Sequence, residues 1–146
     1  MATRTVTAST RTAAAPDAVW ALLDDVGSWS TWGAWEVSEL VAPPGPDGLG
    51  AVRRLQSGRT TAVERVVASE PPRLLRYELL SGLPVRDYRA SVEVVAEQDG
   101  GATITWSASF RGSLPFVGGA VRRRLDAFFA DAVERLARAA ESSSIR

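Results

Sequence analysis

Val117-Gly118-Gly119-Ala120-Val121-Arg122-Arg123-Arg124-Leu125-Asp126-Ala127-Phe128-Phe129-Ala130-Asp131-Ala132-Val133-Glu134-Arg135-Leu136 is the stretch that decides the fold. Val117, Val121, Leu125, Phe128, Phe129, Ala132, Val133, Leu136 and Ala140 recur at three- and four-residue steps. That is the period of an amphipathic helix. Arg123, Asp131, Glu134, Arg135, Arg138 and Glu141 fall mostly on the opposite side. The spacing predicts one long helix, roughly Pro115 to Glu141, with Pro115 in its first turn, Ser113 as its cap and Ser142-Ser143-Ser144 as a frayed tail. A long helix with one apolar stripe needs a surface to cover.

Working outward, the rest of the chain supplies that surface as strands. Ala102 to Arg111 and Val85 to Ala96 flank the hairpin turn Asp99-Gly100-Gly101. Their alternation puts Ile104, Trp106, Ala108 and Phe110 on one face, and Tyr88, Ala90, Val92 and Val94 on one face of the neighbouring strand. We assign both sets to a covered, concave side. Arg86 shares the parity of Tyr88 and is expected to point inward with it. Further strands are expected at Thr3–Thr12, Trp35–Val41, Ala51–Gln56, Thr60–Ala68 and Leu74–Leu80. They are separated by Pro43-Pro44-Gly45-Pro46-Asp47-Gly48, Ser57-Gly58-Arg59, Glu70-Pro71-Pro72 and Ser81-Gly82-Leu83-Pro84. Around Glu64 the period is ambiguous, because Val63, Val66 and Val67 lie on both sides.

Between the first two strands, Pro16 opens a short helix with Val19, Trp20, Leu22 and Leu23 on its apolar side. Gly27 ends or kinks it, and Trp29 and Trp32 then share one side of a helical turn. Trp20, Trp29 and Trp32 read most simply as core, whereas Trp35 is a candidate for a pocket mouth.

Composition narrows the chemistry. The 146 residues are expected to make one domain, 1–146, large enough to bury a core. Net charge is zero, which gives no global attraction to nucleic acid. Met1-Ala2-Thr3-Arg4-Thr5-Val6 lacks the apolar core of a signal peptide, and no run approaches the length of a membrane span. A cytoplasmic protein without integral membrane contact is expected. There is no cysteine and no histidine, and all 17 basic residues are arginine. Thiol nucleophiles, Ser-His-Asp triads, lysine Schiff bases and His/Cys zinc sites are therefore excluded. No metal and no cofactor is expected.

Ala15-Pro16-Asp17-Ala18-Val19-Trp20-Ala21-Leu22-Leu23-Asp24, the Trp29/Trp32 pair, Glu70-Pro71-Pro72-Arg73-Leu74 and the closing helix, in this order, resemble the START-like helix-grip superfamily. Within it, the chain resembles the polyketide cyclase/dehydrase-like branch. The resemblance covers nearly the whole chain. It implies an α+β fold: a curved antiparallel sheet of about seven strands gripping the C-terminal helix, with two short helices after the first strand. It also implies a cavity between sheet and helix. Tyr88, Ala90, Trp106, Ala108 and Phe110 would line one wall, and Leu125, Phe128, Phe129 and Ala132 the other. Ser81-Gly82-Leu83-Pro84 matches the letters of the gate of plant abscisic-acid receptors but not its place, so it is expected only to edge the pocket mouth. The Glu-Arg-aliphatic pattern of those receptors resembles Glu64-Arg65-Val66 and would turn Glu64 inward.

Glu64, Arg86, Asp87 and Tyr88 are then the candidate polar constellation. An inward carboxylate would have a raised pKa suited to acid–base work, Arg86 could hold a ligand's carboxylate or phenolate, and Tyr88 could bond a carbonyl. The plainer account is a structural Glu–Arg pair and a tyrosine reaching water. Arg122-Arg123-Arg124 fans around its helix and reads as a solvated surface. The leading expectation is a module binding a small hydrophobic or aromatic metabolite, polyketide- or lipid-like. The alternatives are a cofactor-free cyclase, aromatase or dehydratase using Glu64, Tyr88 and Arg86, and a protein-interaction module presenting the Arg122–Arg138 helix face. A homodimer is compatible with each.

Overall fold

The structure, a computed structural model, describes residues 2–144. Strand β1 (Arg4–Thr12) leads into helix α1 (Pro16–Asp24), a single 3-10 turn (Val26–Ser28) and the one-turn helix α2 (Trp29–Trp32). Six strands follow: β2 (Val37–Ala42), β3 (Val52–Ser57), β4 (Thr60–Glu70), β5 (Leu74–Ser81), β6 (Val85–Ala96) and β7 (Ala102–Gly112). Helix α3 (Val117–Ser144) closes the chain. The strands form one curved antiparallel sheet in the order β1-β7-β6-β5-β4-β3-β2. This is the expected helix-grip arrangement.

Alternation explains the covered face of the sheet. Tyr88, Ala90, Val92 and Val94 of β6 are buried, as are Ile104, Trp106, Ala108 and Phe110 of β7. Pro16 stands at the start of α1, where its missing N–H is not needed, and Val19, Trp20 and Leu23 are buried beneath it. The C-terminal half of α3 packs on β1 and β7 through Ala132, Val133, Leu136, Ala137 and Ala140, all buried. The three alanines let the helix approach closely. Thr12 fastens that end, donating to the Ala137 carbonyl at 3.2 Å and the Glu141 carboxylate at 2.7 Å.

Local departures from the expected pattern have physical causes. Helix α3 begins at Val117, two residues after Pro115, because Phe116 adopts a left-handed φ of 68°. Ser113 does not cap the helix; its hydroxyl donates to the Pro84 carbonyl at 2.8 Å. The helix runs through Ser142 and Ser143 to Ser144, past the expected end. Trp35 precedes β2 rather than opening it. The ambiguous period around Glu64 arises from two register shifts in β4, at Val63/Glu64 and at Val66/Ala68.

Arg86 is the correction that matters most. A bulge between Arg86 and Arg89, with Asp87 at φ 54°, reverses the parity of the start of β6. Arg86 is exposed instead of inward, and Asp87 pairs outside with Arg111 at 3.4 Å.

Candidate functional site

A cavity of about 360 Å³ lies between the N-terminal half of α3 and the sheet. Val117, Ala120, Val121, Leu125, Phe128 and Phe129 form its helical wall. Leu55 and Ser57 of β3, Thr60 and Ala62 of β4, Tyr77 of β5, and Tyr88 and Trp106 of β6 and β7 form its sheet wall. Trp29 and Trp35 close one end, and Gly82, Leu83 and Pro84 border it between β5 and β6. Gly82 fits its place for two reasons: it has φ 121°, and a Cβ there would lie 2.2 Å from the Thr61 carbonyl oxygen.

The tryptophans build the closed end because they pack on each other. Trp29 lies 5.8 Å from Trp32, 5.2 Å from Trp35 and 5.5 Å from Trp106, centroid to centroid. Trp35 also meets Phe128 of α3 at 5.4 Å, which joins the segment between α2 and β2 to the closing helix. The Trp29 indole N–H donates to the Leu22 and Leu23 carbonyls at 3.1 and 3.2 Å, fixing the ring on the end of α1.

Two tyrosines stand on this largely apolar wall. The Trp106 indole N–H donates to the Tyr77 hydroxyl oxygen at 2.9 Å. Tyr77 accepts that bond, so its own hydroxyl proton remains for an acceptor. Tyr77 and Tyr88 border the cavity together. Burial, together with the neighbouring Glu64 carboxylate, pushes the Tyr77 hydroxyl far above its ordinary pKa; burial does the same for Tyr88, reinforced by Tyr77 and Glu64. Both stay protonated near neutral pH and act as neutral donors.

A buried ion pair supports this wall without entering it. Arg53 donates to Glu64 at 3.1 Å, and the guanidinium lies 4.5 Å from the Trp29 ring centroid and 4.4 Å from that of Tyr77. Burial pushes the Glu64 carboxyl above its ordinary range, and the Arg53 charge partly opposes that shift. Neither residue borders the main cavity. Arg53 instead borders a separate hollow of about 310 Å³ beneath the end of α1, with Leu23, Val26, Val66 and Leu75.

The model of the polyketide cyclase/dehydrase and lipid transport family matches residues 3–141. The chain belongs to this family. Solved structures agree on the fold. The chain is similar to the ZhuI aromatase/cyclase of Streptomyces sp. R1128 (TM-score 0.80, 19% identity, covering 99% of this chain and 97% of that one). It is similar to a Thermobifida fusca protein (TM-score 0.78, 26% identity, 94% and 93%). It is also similar to a START superfamily protein of Mycobacterium smegmatis (TM-score 0.73, 16% identity, 95% of each). No curated protein matches it.

In this member of the polyketide cyclase/dehydrase and lipid transport family, the structure brings Trp35, Tyr88, Trp106, Leu125, Phe128 and Phe129 to the cavity wall. Ala90, Ala108, Phe110 and Ala132 are buried on the same side but belong to the packed core beyond the cavity. Phe110 stacks on Tyr88 at 6.1 Å and holds that ring in place. Glu64 is turned inward but spoken for by Arg53, and Arg86 lies outside. The expected trio of Glu64, Arg86 and Tyr88 is therefore not assembled. Sequence reasoning missed Tyr77 and Arg53. The available signal was parity: Tyr77 alternates with Leu75, and Arg53 with Leu55, and all four are buried. Among the described residues, no group of three acidic, histidine or cysteine side chains gathers to hold a metal. No described helix is long and apolar enough to cross a membrane.

Proposed function

We propose that the protein is a binding module for a small aromatic or polyketide-like molecule. The observation that carries this reading is the cavity itself: about 360 Å³, walled by tryptophan, phenylalanine and aliphatic side chains, with two neutral tyrosine hydroxyls. That combination of apolar bulk and few polar groups is the ordinary form of a small-molecule site. Apolar burial supplies affinity, and the Tyr77–Tyr88 pair orients a carbonyl or phenol oxygen of the ligand.

Cyclase or dehydratase chemistry has weaker support. Proton abstraction beside a carbonyl needs a base within reach. Among the described residues, no aspartate or glutamate borders the cavity, and the buried carboxylate of Glu64 is held by Arg53. The expectation of Glu64, Tyr88 and Arg86 as catalytic residues is accordingly replaced by Tyr77 and Tyr88 as ligand-orienting residues.

The test is native mass spectrometry of the protein mixed with a panel of neutral naphthols and aryl ketones. A one-to-one adduct is expected, and Val121→Trp, which fills the space beside α3, abolishes it while the protein stays folded. Absence of any adduct across the panel at submillimolar ligand would sink the reading.

A further inference from the structure

Helical geometry sets one arginine apart from its neighbours. Val117, Ala120, Val121, Arg124, Leu125 and Phe128 all border the cavity, and their spacing of three and four residues defines one stripe of α3. Arg124 sits on that stripe; Arg122 and Arg123 do not border the cavity. It is the sole charged residue on the cavity wall among the described residues. It is also solvent-exposed, so its guanidinium is at the rim and not in the apolar depth. A long arginine stem can lie along apolar wall while its head stays in water. None of the ion pairs among the described residues includes Arg124.

The cavity is therefore polarised. Its aromatic interior holds the neutral hydroxyls of Tyr77 and Tyr88, and its rim holds one permanent positive charge with no internal partner. A ligand fully neutral along its length would leave that charge unused. From this we infer that the ligand is an amphipathic anion, with an aromatic or aliphatic body in the cavity and a carboxylate, sulfonate or phosphate-type group at the rim on Arg124. This inference rests on the binding-module reading above and names the substrate class of the same site. Guanidinium suits such a group because it presents paired N–H donors to two oxygens at once.

The experiment uses two fluorescent probes with the same aromatic body: phenylnaphthylamine, which is neutral, and anilinonaphthalene sulfonate, which is anionic. Each is titrated into the wild-type protein, Arg124→Gln, Arg123→Gln and Val121→Trp. The expected result is that Arg124→Gln weakens the sulfonate probe about three- to tenfold and leaves the neutral probe within about twofold, as a rim-exposed charge contact should. Arg123→Gln changes neither, and raised salt narrows the gap between the probes. Equal loss with Arg123→Gln would show a diffuse surface field and overturn the assignment, as would no effect of Arg124→Gln on the sulfonate probe. If neither probe binds wild type, or Val121→Trp leaves binding intact, the cavity reading itself fails and the ligand class falls with it.

Discussion

Arg53 and Glu64 are direct cross-strand partners of β3 and β4, and their side chains meet at 3.1 Å with only 3% and 8% of their surface exposed. The pair lies beside Trp29 and Tyr77, so it braces the wall that carries the cavity's polar groups. Removing one member leaves the other charge buried and alone. Arg53→Met is expected to cost about 3–5 kcal/mol of stability. Arg53→Met with Glu64→Leu should recover much of that loss, because a matched apolar pair removes both desolvation penalties. Urea denaturation of the single and double variants checks this. Arg86→Ala, at an exposed position, is expected to shift stability by less than about 0.5 kcal/mol.

The pH dependence of stability carries a recognisable contribution from Glu64. Its folded pKa is raised above the ordinary 4.5, so the native protein holds this proton at pH values where the unfolded chain has lost it. The contribution is full below 4.5 and declines as pH rises through the folded value. Glu64→Gln cannot titrate and lacks this decline. Denaturation midpoints followed upward from pH 4.5 should show the stability of wild type falling relative to Glu64→Gln. A relative rise would mean that Arg53 outweighs burial.

The chain has two tyrosines, Tyr77 and Tyr88, and both border the cavity. Both pKa values are raised well above 10.0, so the whole tyrosinate absorbance of the protein reports on this site. No tyrosinate signal is expected as pH passes 10.0 while the fold persists; it should appear together with alkaline unfolding. A tyrosine titrating reversibly at its ordinary value in the folded protein would contradict the buried hydroxyl pair.

How much of this was legible beforehand depended on whether a local rule held. The apolar stripe of α3 and the alternation of β7 run unbroken, and both were readable. The wall positions Trp106, Phe128 and Phe129 followed from them. Arg86 was misplaced because one bulge at Asp87 reversed the parity on which its inward assignment rested. Bulges are tertiary adjustments that leave little mark in a short polar run such as Arg86-Asp87. Parity with Leu75 and Leu55 marked Tyr77 and Arg53 as inward, but no residue pattern announces that two separate strands will place a guanidinium against an aromatic ring. Ala90, Ala108, Phe110 and Ala132 were read on the correct face, but how far a cavity extends along a face is set by which side chains of helix and sheet meet and which leave space. That depends on packing between α3 and the tryptophan cluster and not on period.

The border loop makes a further prediction. Gly82 has φ 121° and touches the backbone of Thr61 and Ala62 so closely that a methyl group has no room. Gly82→Ala is expected to cost about 1–3 kcal/mol through strain and steric displacement. It should also weaken ligand binding, because the displaced loop carries Leu83 and Pro84 at the cavity edge. Thermal unfolding and probe titration of the same variant measure the two effects.

The central claim is that a small apolar molecule enters the space between α3 and the sheet. Titration of naphthol into nitrogen-15-labelled protein, followed by the indole N–H signals of the five tryptophans, tests it most directly. The account predicts saturable shifts for Trp29, Trp35 and Trp106, which border the cavity, and an unmoved signal for Trp20, which does not. No shifts up to the solubility of naphthol, or shifts centred on Trp20 and the hollow beneath α1, would contradict it.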